Sequence, residues 1–375
     1  MTRKISRFLA DRQPATPCLV VDLEVVAANY RKLRTAMPDA VVYYAVKANP
    51  AREILELLVG LGSSFDAASL NEIDMVLAAG GAPDRISFGN TIKKRSDVAA
   101  AHARGVRLFA FDSRAELEKI AAAAPGSRVF CRILTSGEGA EWPLSRKFGC
   151  EPAMARELLR LAKDLDVVPW GISFHVGSQQ RDPQQWDRAI AESARLFRDL
   201  EQDGVELGML NIGGGFPARY RKDIPTLCRY GACIRRSILE HFGNRVPDVI
   251  VEPGRHMVGN AGIIHTEVVL IAKKSANDNR RWVFLDIGKF GGLAETEGEA
   301  IQYPIRSPRR GRGERVILAG PTCDSADVLY EKANYRLPVD LSIGDRLQIR
   351  SAGAYTSTYA SVAFNGFEPL RCYCI

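Results

Sequence analysis

Short runs of β-favouring residues recur along the first two-thirds of the chain, each followed by a longer stretch with apolar residues at helical spacing. The runs fall at 42–47, 64–67, 86–89, 108–111, 128–134, 171–176, 208–212 and 248–252. Helical patterns occupy the gaps, for example at 52–61, 70–79, 114–123 and 154–165. Eight strand–helix cycles predict an α/β fold whose parallel sheet closes into a (β/α)8 barrel. Beyond about residue 262, β-like runs at 268–272, 282–286, 315–319 and 346–349 are separated by Gly, Asn and Pro turns, without long helices between them. That texture predicts a mainly antiparallel β domain. The expected organisation is a barrel over 22–262 and a β domain made of 1–21 and 263–375. Within the first segment, Cys18-Leu19-Val20-Val21 either pairs with the β domain or leads directly into the barrel.

In such a barrel the chemistry sits at the C-terminal strand ends. Those ends read, in order, Lys47, Asp66, Asn90, Asp112, Arg132, His175, Gly213-Gly214-Gly215 and Glu252. Lys47 closes the run Tyr43-Tyr44-Ala45-Val46-Lys47, and Asn49-Pro50 then breaks the pattern. A lysine ending an interior strand is costly unless something uses its amine. Desolvation lowers its proton affinity and fits it to form an imine with a carbonyl. A lysine that snorkels at a strand end is the structural alternative. His175 is either an active-site group or a hydrogen-bonded core histidine, and Ser178 just beyond it is placed to bind a phosphate.

Asn211-Ile212-Gly213-Gly214-Gly215-Phe216 runs a strand into three glycines, whose N–H groups can converge on an anion. The alternative is a plain tight turn. Glu252-Pro253-Gly254-Arg255 adds a glycine and an arginine at the next strand end. Barrels often hold phosphate after strands seven and eight, so the two motifs together point to a phosphate cradle. Glu252 either pairs with Arg255 in a structural role or faces a protonated ring nitrogen of a cofactor.

Composition narrows the class further. The chain has 375 residues, 46% apolar and 25% charged, as expected of a soluble globular protein. It has no apolar run near the roughly 20 residues that cross a bilayer. Asp11, Arg12 and Gln13 stand where a signal peptide needs its apolar core, so a cytoplasmic protein with no membrane partner is expected. Eight dispersed cysteines suggest reduced thiols. Cys372-Tyr373-Cys374 lacks a second ligand pair and reads as a plain tail, so no metal is expected. The net charge of +7 is mild. Its densest stretch, 306–315, is broken by Pro308, Gly311 and Gly313, which favours a solvated loop over a nucleic-acid surface.

Five motifs carry a likeness to a known family: Tyr44-Ala45-Val46-Lys47-Ala48-Asn49, Phe65-Asp66-Ala67-Ala68-Ser69, His175-Val176-Gly177-Ser178, Gly213-Gly214-Gly215-Phe216-Pro217 and Glu252-Pro253-Gly254-Arg255. The likeness continues through Gly320-Pro321-Thr322-Cys323-Asp324-Ser325, Gly353-Ala354-Tyr355-Thr356 and Phe364-Asn365-Gly366-Phe367. Together these resemble the fold-type III, pyridoxal-phosphate-dependent basic amino-acid decarboxylases, nearest the bacterial ornithine decarboxylase branch. The resemblance spans nearly the whole chain.

It implies that pyridoxal 5'-phosphate is the cofactor, joined to Lys47 as an imine. By the same likeness Glu252 pairs with the pyridine nitrogen and His175 stacks on the ring. Gly213, Gly214, Gly215, Gly254, Arg255, Ser178 and Tyr355 hold the phosphate, while Asp66 and Arg132 match positions near the imine and the ring hydroxyl. Cys323 would reprotonate Cα from the neighbouring subunit of a homodimer, and Asp324 would meet the distal ammonium of a basic amino acid. Glu299, with Glu297 as the alternative, and Phe364 match the remaining substrate-side positions. The implied reaction is decarboxylation of L-ornithine to putrescine, with dual ornithine/lysine activity as the close alternative. Alanine racemases share the plan, but their tyrosine and their arginine at the ring nitrogen do not match Glu252 and Cys323-Asp324. A non-catalytic relative need not keep Lys47, Glu252 and Cys323 together.

Overall fold

Eight parallel strands close into a barrel: Ala40–Ala45, Ser64–Ala67, Ile86–Phe88, Leu108–Phe111, Ser127–Arg132, Val167–Ser173, Met209–Asn211 and Asp248–Val251. Closure comes from the eighth strand lying beside the first, with Val249 opposite Ala40 and Val251 opposite Val42. In this computed structural model residues 1–142 and 147–375 are described. The chain forms two compact units, one of Ala27–Pro217 with Ile224–Gly254, the other of Met1–Val26, Ala218–Asp223 and Arg255–Ile375.

The barrel interior is packed with side chains. Tyr43, Ala110, Phe130, Met209 and Ile250, from alternate positions on five strands, form one buried cluster. Burying a large apolar side chain contributes roughly 1.5–3 kcal/mol, so this plug helps hold the strand ends in place. Helices following the strands begin where the sequence supplies caps. Ser69 accepts the N–H of Glu72, and Ser113 accepts that of Glu116, each in a Ser-x-x-Glu pattern. The exits of the third and fourth strands are tied together by Lys93, which is buried and donates to the Asn90 and Ala110 carbonyls at 2.7 and 2.6 Å. It also pairs with Glu116 at 2.9 Å. Burial pushes its ammonium down to about 8 against the opposing pull of Glu116.

Two strand boundaries differ from the hydrophobic pattern at places that matter for the site. The first strand ends at Ala45, and Lys47 occupies a single tight helical turn, Val46–Ala48. The Tyr44 hydroxyl donates to the Asn49 carbonyl at 2.8 Å and braces that turn. The sixth strand covers Val167–Ser173 rather than 171–176, so His175 lies past its end. Pro169, which has no N–H to give the ladder, hides the start of this strand in the sequence. The pairing accommodates it with a bulge on the same strand: consecutive Val129 and Phe130 face Pro169 and Gly171, leaving Trp170 as the extra residue.

The second unit carries an eight-stranded sheet that is mixed, mostly antiparallel. Cys18–Val21 pairs with Gly262–Ala272, which resolves the choice left open for the N-terminal segment. Two pairs run parallel: Arg281–Leu285 beside Gly313–Ala319, and Cys18–Val21 beside Arg371–Cys374. The Cys-Tyr-Cys tail is therefore a strand and not a plain end. A long strand, Val328–Pro338, was not legible because charged and exposed residues interrupt its alternation. Among the described residues no helix is long and apolar enough to cross a membrane, and no group of three or more metal-ligating side chains is found.

Candidate active site

The mouth of the barrel gathers the ionisable residues that the strand ends supply. Lys47 is 47% exposed, and its Nζ lies 3.4 Å from Oδ2 of Asp66, whose carboxylate is buried. The amine is thus solvent-accessible beside an acid, where the strand pattern suggested a desolvated lysine. Being in a turn past the strand, it reaches out of the packed interior. Asp66 also accepts a hydrogen bond from Ser87 Oγ at 3.3 Å. A Cβ at Gly89 would overlap the Asp66 carboxylate, so that glycine is needed for the acid to fit.

Glu252, half-buried just past the eighth strand, is pushed up to about 7. Burial is the main cause and Asp66 adds to it, while Lys47, Asn211 and Arg132 pull the other way. Asn211 Nδ2 donates to Glu252 Oε1 at 2.5 Å. Arg132 has its guanidinium pKa lowered by burial, opposed by Glu252, Asp112 and Asp66. His175 accepts the Gly177 N–H through Nδ1 at 2.9 Å, which places its proton on Nε2. Burial, then Arg132 and Lys47, hold its pKa well below the usual value, so the ring is neutral.

Asn90 and Asp112, the other two polar strand ends, are engaged locally. Asn90 donates to the Ala68 carbonyl at 3.3 Å, and Asp112 accepts from Thr91 Oγ1 at 2.7 Å and Gly149 N at 2.8 Å. Ser178 opens a short strand that pairs with Ala140–Trp142.

The glycine turn leaves no room for side chains. Gly213 and Gly215 have φ of 68° and 99°, a region glycine enters freely. A Cβ on Gly213 would overlap the Phe174 carbonyl oxygen. One on Gly214 would sit 2.6 Å from the Glu252 carbonyl oxygen and 3.2 Å from His175 Nε2, and one on Gly215 would sit 2.7 Å from the Gly177 carbonyl oxygen. An accessible lysine, an acid held near neutrality and a side-chain-free turn fit an aldehyde, a basic ring nitrogen and a phosphate respectively.

The second unit holds the remaining candidates. Arg255 is buried and finds its carboxylate in Glu295, with Nη1 and Nη2 at 2.7 and 2.5 Å from the two oxygens. Nη1 also donates to the Tyr220 hydroxyl at 2.7 Å, and the guanidinium lies 4.8 Å from the ring centre of Tyr355. Breaking a buried pair of this kind costs about 3–5 kcal/mol. Glu295→Ala is therefore expected to lower the urea stability of the protein by that amount; a loss under about 1 kcal/mol would show that the pair is readily resolvated.

Cys323 is exposed, and its N–H and Sγ both approach Asn365 Oδ1, at 3.0 and 3.4 Å. Asp324 accepts the Ala326 N–H at 2.8 Å, and Phe364 packs on Phe290 with ring centres 4.6 Å apart. Glu299 has an unforeseen duty: it accepts the backbone N–H groups of Glu331, Lys332 and Ala333 at 2.7, 2.6 and 2.6 Å. Glu297 instead extends into solvent and pairs with Lys289 at 2.7 Å. Asn211 and Glu295 were missed as partners of Glu252 and Arg255. Asn211 stood inside a quoted motif, whereas nothing in the sequence pairs Glu295 with Arg255.

A (β/α)8 barrel with a lysine, an acid and a glycine turn at its mouth, followed by a mixed β-sheet unit, defines the barrel class of pyridoxal-phosphate enzymes. Within that class the assignment is direct. The chain belongs to the pyridoxal-dependent decarboxylases, whose family model (pyridoxal-dependent decarboxylase, pyridoxal binding domain) matches residues 23–259. It is 37% identical to a lysine/ornithine decarboxylase of Selenomonas ruminantium, over 98% of this chain and 91% of that protein. It is 34% identical to an ornithine decarboxylase of Schizosaccharomyces pombe, over 94% and 82% of the two chains. The crystal structure of a lysine/ornithine decarboxylase from Vibrio vulnificus complexed with cadaverine superposes with a TM-score of 0.88 at 30% identity, covering 99% of this chain and 97% of that one. The protein is a pyridoxal-phosphate-dependent carboxy-lyase of basic amino acids.

Proposed function

We propose that the protein decarboxylates L-ornithine to putrescine and accepts L-lysine as a second substrate. The observation that carries the reading is the barrel mouth itself, where Lys47, Asp66, Glu252 and the Gly213–Gly215 turn coincide. When bound, pyridoxal phosphate supplies an electron sink for the pair left at Cα by departing CO2.

The chain's own residues have the following parts in the proposal. Lys47 Nζ makes the covalent attachment, and the adjacent Asp66 carboxylate keeps a counter-charge beside it. Glu252 in its ionised form faces the ring nitrogen, and neutral His175 offers its ring face. Arg132 belongs to the ring-hydroxyl side. Ser178, Gly214, Gly215, Gly254, Arg255 and Tyr355 take the phosphate, and Gly213, whose N–H is held by Asn211 Oδ1, shapes the turn that presents Gly214 and Gly215.

Cys323 Sγ delivers a proton to Cα from the neighbouring subunit of a homodimer, and Asp324 accepts from the substrate's distal ammonium. Phe364 lines that side. Of the two acids considered for the distal amine, Glu297 is now the better candidate, because the Glu299 carboxylate already serves three backbone donors.

One methylene separates ornithine from lysine and is worth only about 1–3 kcal/mol in a pocket. Lysine activity is therefore expected alongside ornithine activity, in keeping with the dual name of the Selenomonas relative. Release of CO2 from L-ornithine, L-lysine, L-arginine and meso-diaminopimelate at equal concentrations tests this. The highest kcat/KM is expected for ornithine, followed by lysine. A preference for diaminopimelate would overturn the role of Asp324, and one for arginine or lysine would overturn the choice of ornithine.

A further inference from the structure

Glu252 and the glycine turn are joined through a single buried amide, that of Asn211. This residue ends the seventh barrel strand and is 1% exposed. Its Nδ2 donates to Glu252 Oε1 at 2.5 Å, while its Oδ1 accepts the N–H of Gly213 at 2.9 Å. The opposite amide orientation would set donor against donor and acceptor against acceptor, so this one alone satisfies both partners. The ring is closed by the backbone, since Glu252 N donates to the Gly213 carbonyl at 2.8 Å. Gly213 needs its positive φ, and a Cβ there would overlap the Phe174 carbonyl oxygen, so the turn cannot shift independently of this bond pattern.

We propose that Asn211 is a positioning residue that orients the Glu252 carboxylate and registers it against the Gly213 N–H, so that the acid and the anion cradle are set as one unit. The inference rests on the reading of Glu252 as the ring-pairing acid and of the glycine turn as the phosphate cradle. Among the described residues, Asp66, Lys47 and Arg132 are the charged groups that act on this acid. The amide sides with Lys47 and Arg132 in favouring the ionised carboxylate, against burial and Asp66. Removing it leaves a buried acid short of one donor and the Gly213 N–H short of its acceptor.

The test uses the cofactor-free full chain titrated with pyridoxal, which carries no phosphate, and with inorganic phosphate as a competitor of pyridoxal phosphate. Asn211→Ala is expected to weaken both pyridoxal and inorganic phosphate binding by roughly tenfold or more each, the range for a lost hydrogen bond to a charged group. In a Glu252→Gln background its effect on pyridoxal should largely vanish, while its effect on phosphate persists.

Asn211→Asp retains an acceptor for Gly213 N–H and guards against a simple folding failure. It should bind phosphate within about threefold of the parent, less than one hydrogen bond is worth, while the pH above which pyridoxal binds tightly moves upward. Dissociation constants for Asn211→Ala within twofold of the parent, with only a lowered unfolding midpoint, would overturn the proposal. So would identical behaviour of the Ala and Asp variants at both ends. If Glu252→Gln alone leaves pyridoxal binding unchanged, the reading of the site fails and the ring half of the proposal falls with it. The phosphate titration then decides the other half independently.

Discussion

Lys47→Ala is expected to abolish the absorbance band that borohydride would fix onto the protein, and decarboxylation to fall on the order of 10³-fold or more, as when a covalent catalyst is removed. The side chain is half exposed and stands past the end of its strand, so its loss leaves no cavity in the packed barrel. It does leave the buried Asp66 carboxylate without the ammonium 3.4 Å away. Lys47→Arg separates the two effects. A guanidinium restores a cation beside Asp66, yet it does not deprotonate and cannot form the imine. Both variants are therefore expected to be inactive, with the stability of the cofactor-free Arg variant closer to that of the parent. Turnover above about a hundredth of the parent's in either variant would refute the assignment of Lys47.

Glu252→Gln keeps the shape of the side chain and removes its charge. Turnover is expected to fall about 10²–10³-fold, the usual effect of deleting one preorganised electrostatic partner of a transition state. The same substitution has a signature in the cofactor-free protein. Burial raises the folded-state pKa of Glu252 from 4.5 to about 7, so the folded state holds this proton more tightly than the unfolded state does. Its contribution to stability is thus fully present below the unfolded value and is lost as pH rises through about 7. Urea midpoints of the parent and of Glu252→Gln, measured from pH 5 to 8, should show the parent losing stability relative to the variant across that window. Parallel curves would mean that the acid is already ionised at low pH and that its environment has been misjudged. His175 contributes an opposing rise as pH approaches 6.5, because burial and the nearby cations keep the folded ring neutral while the unfolded histidine is still protonated; that rise is common to parent and variant, so the comparison between them isolates Glu252.

The two residues act through different physics, and the sequence exposed them differently. Lys47 was visible because a lysine breaks an apolar run, and the run itself marked a barrel strand. The reason first attached to it, desolvation, was wrong, because the strand ends two residues earlier and the amine turns out towards solvent. Glu252 was visible as an acid at the last strand end, but its elevated pKa depends on Asp66, Arg132 and Asn211, all more than forty positions away in the chain. The sixth strand starts at Val167, earlier than its apolar run, because Pro169 is tolerated there by a bulge at Trp170 that only the paired strand reveals.

By itself the sequence determined the alternation of strand and helix, the eight-strand count, the polar strand ends and the family-like motifs. These are local or periodic properties, set by side-chain chemistry and backbone freedom within a few residues. What only the tertiary structure decided was partnership. Arg255 pairs with Glu295, Glu299 anchors a strand, and the terminal Cys-Tyr-Cys segment is itself a strand beside Cys18–Val21. The amide of Asn211 joins the acid to the glycine turn. Each pairing brings together residues distant in sequence whose energies depend on burial and distance, and neither quantity exists until the chain has closed on itself.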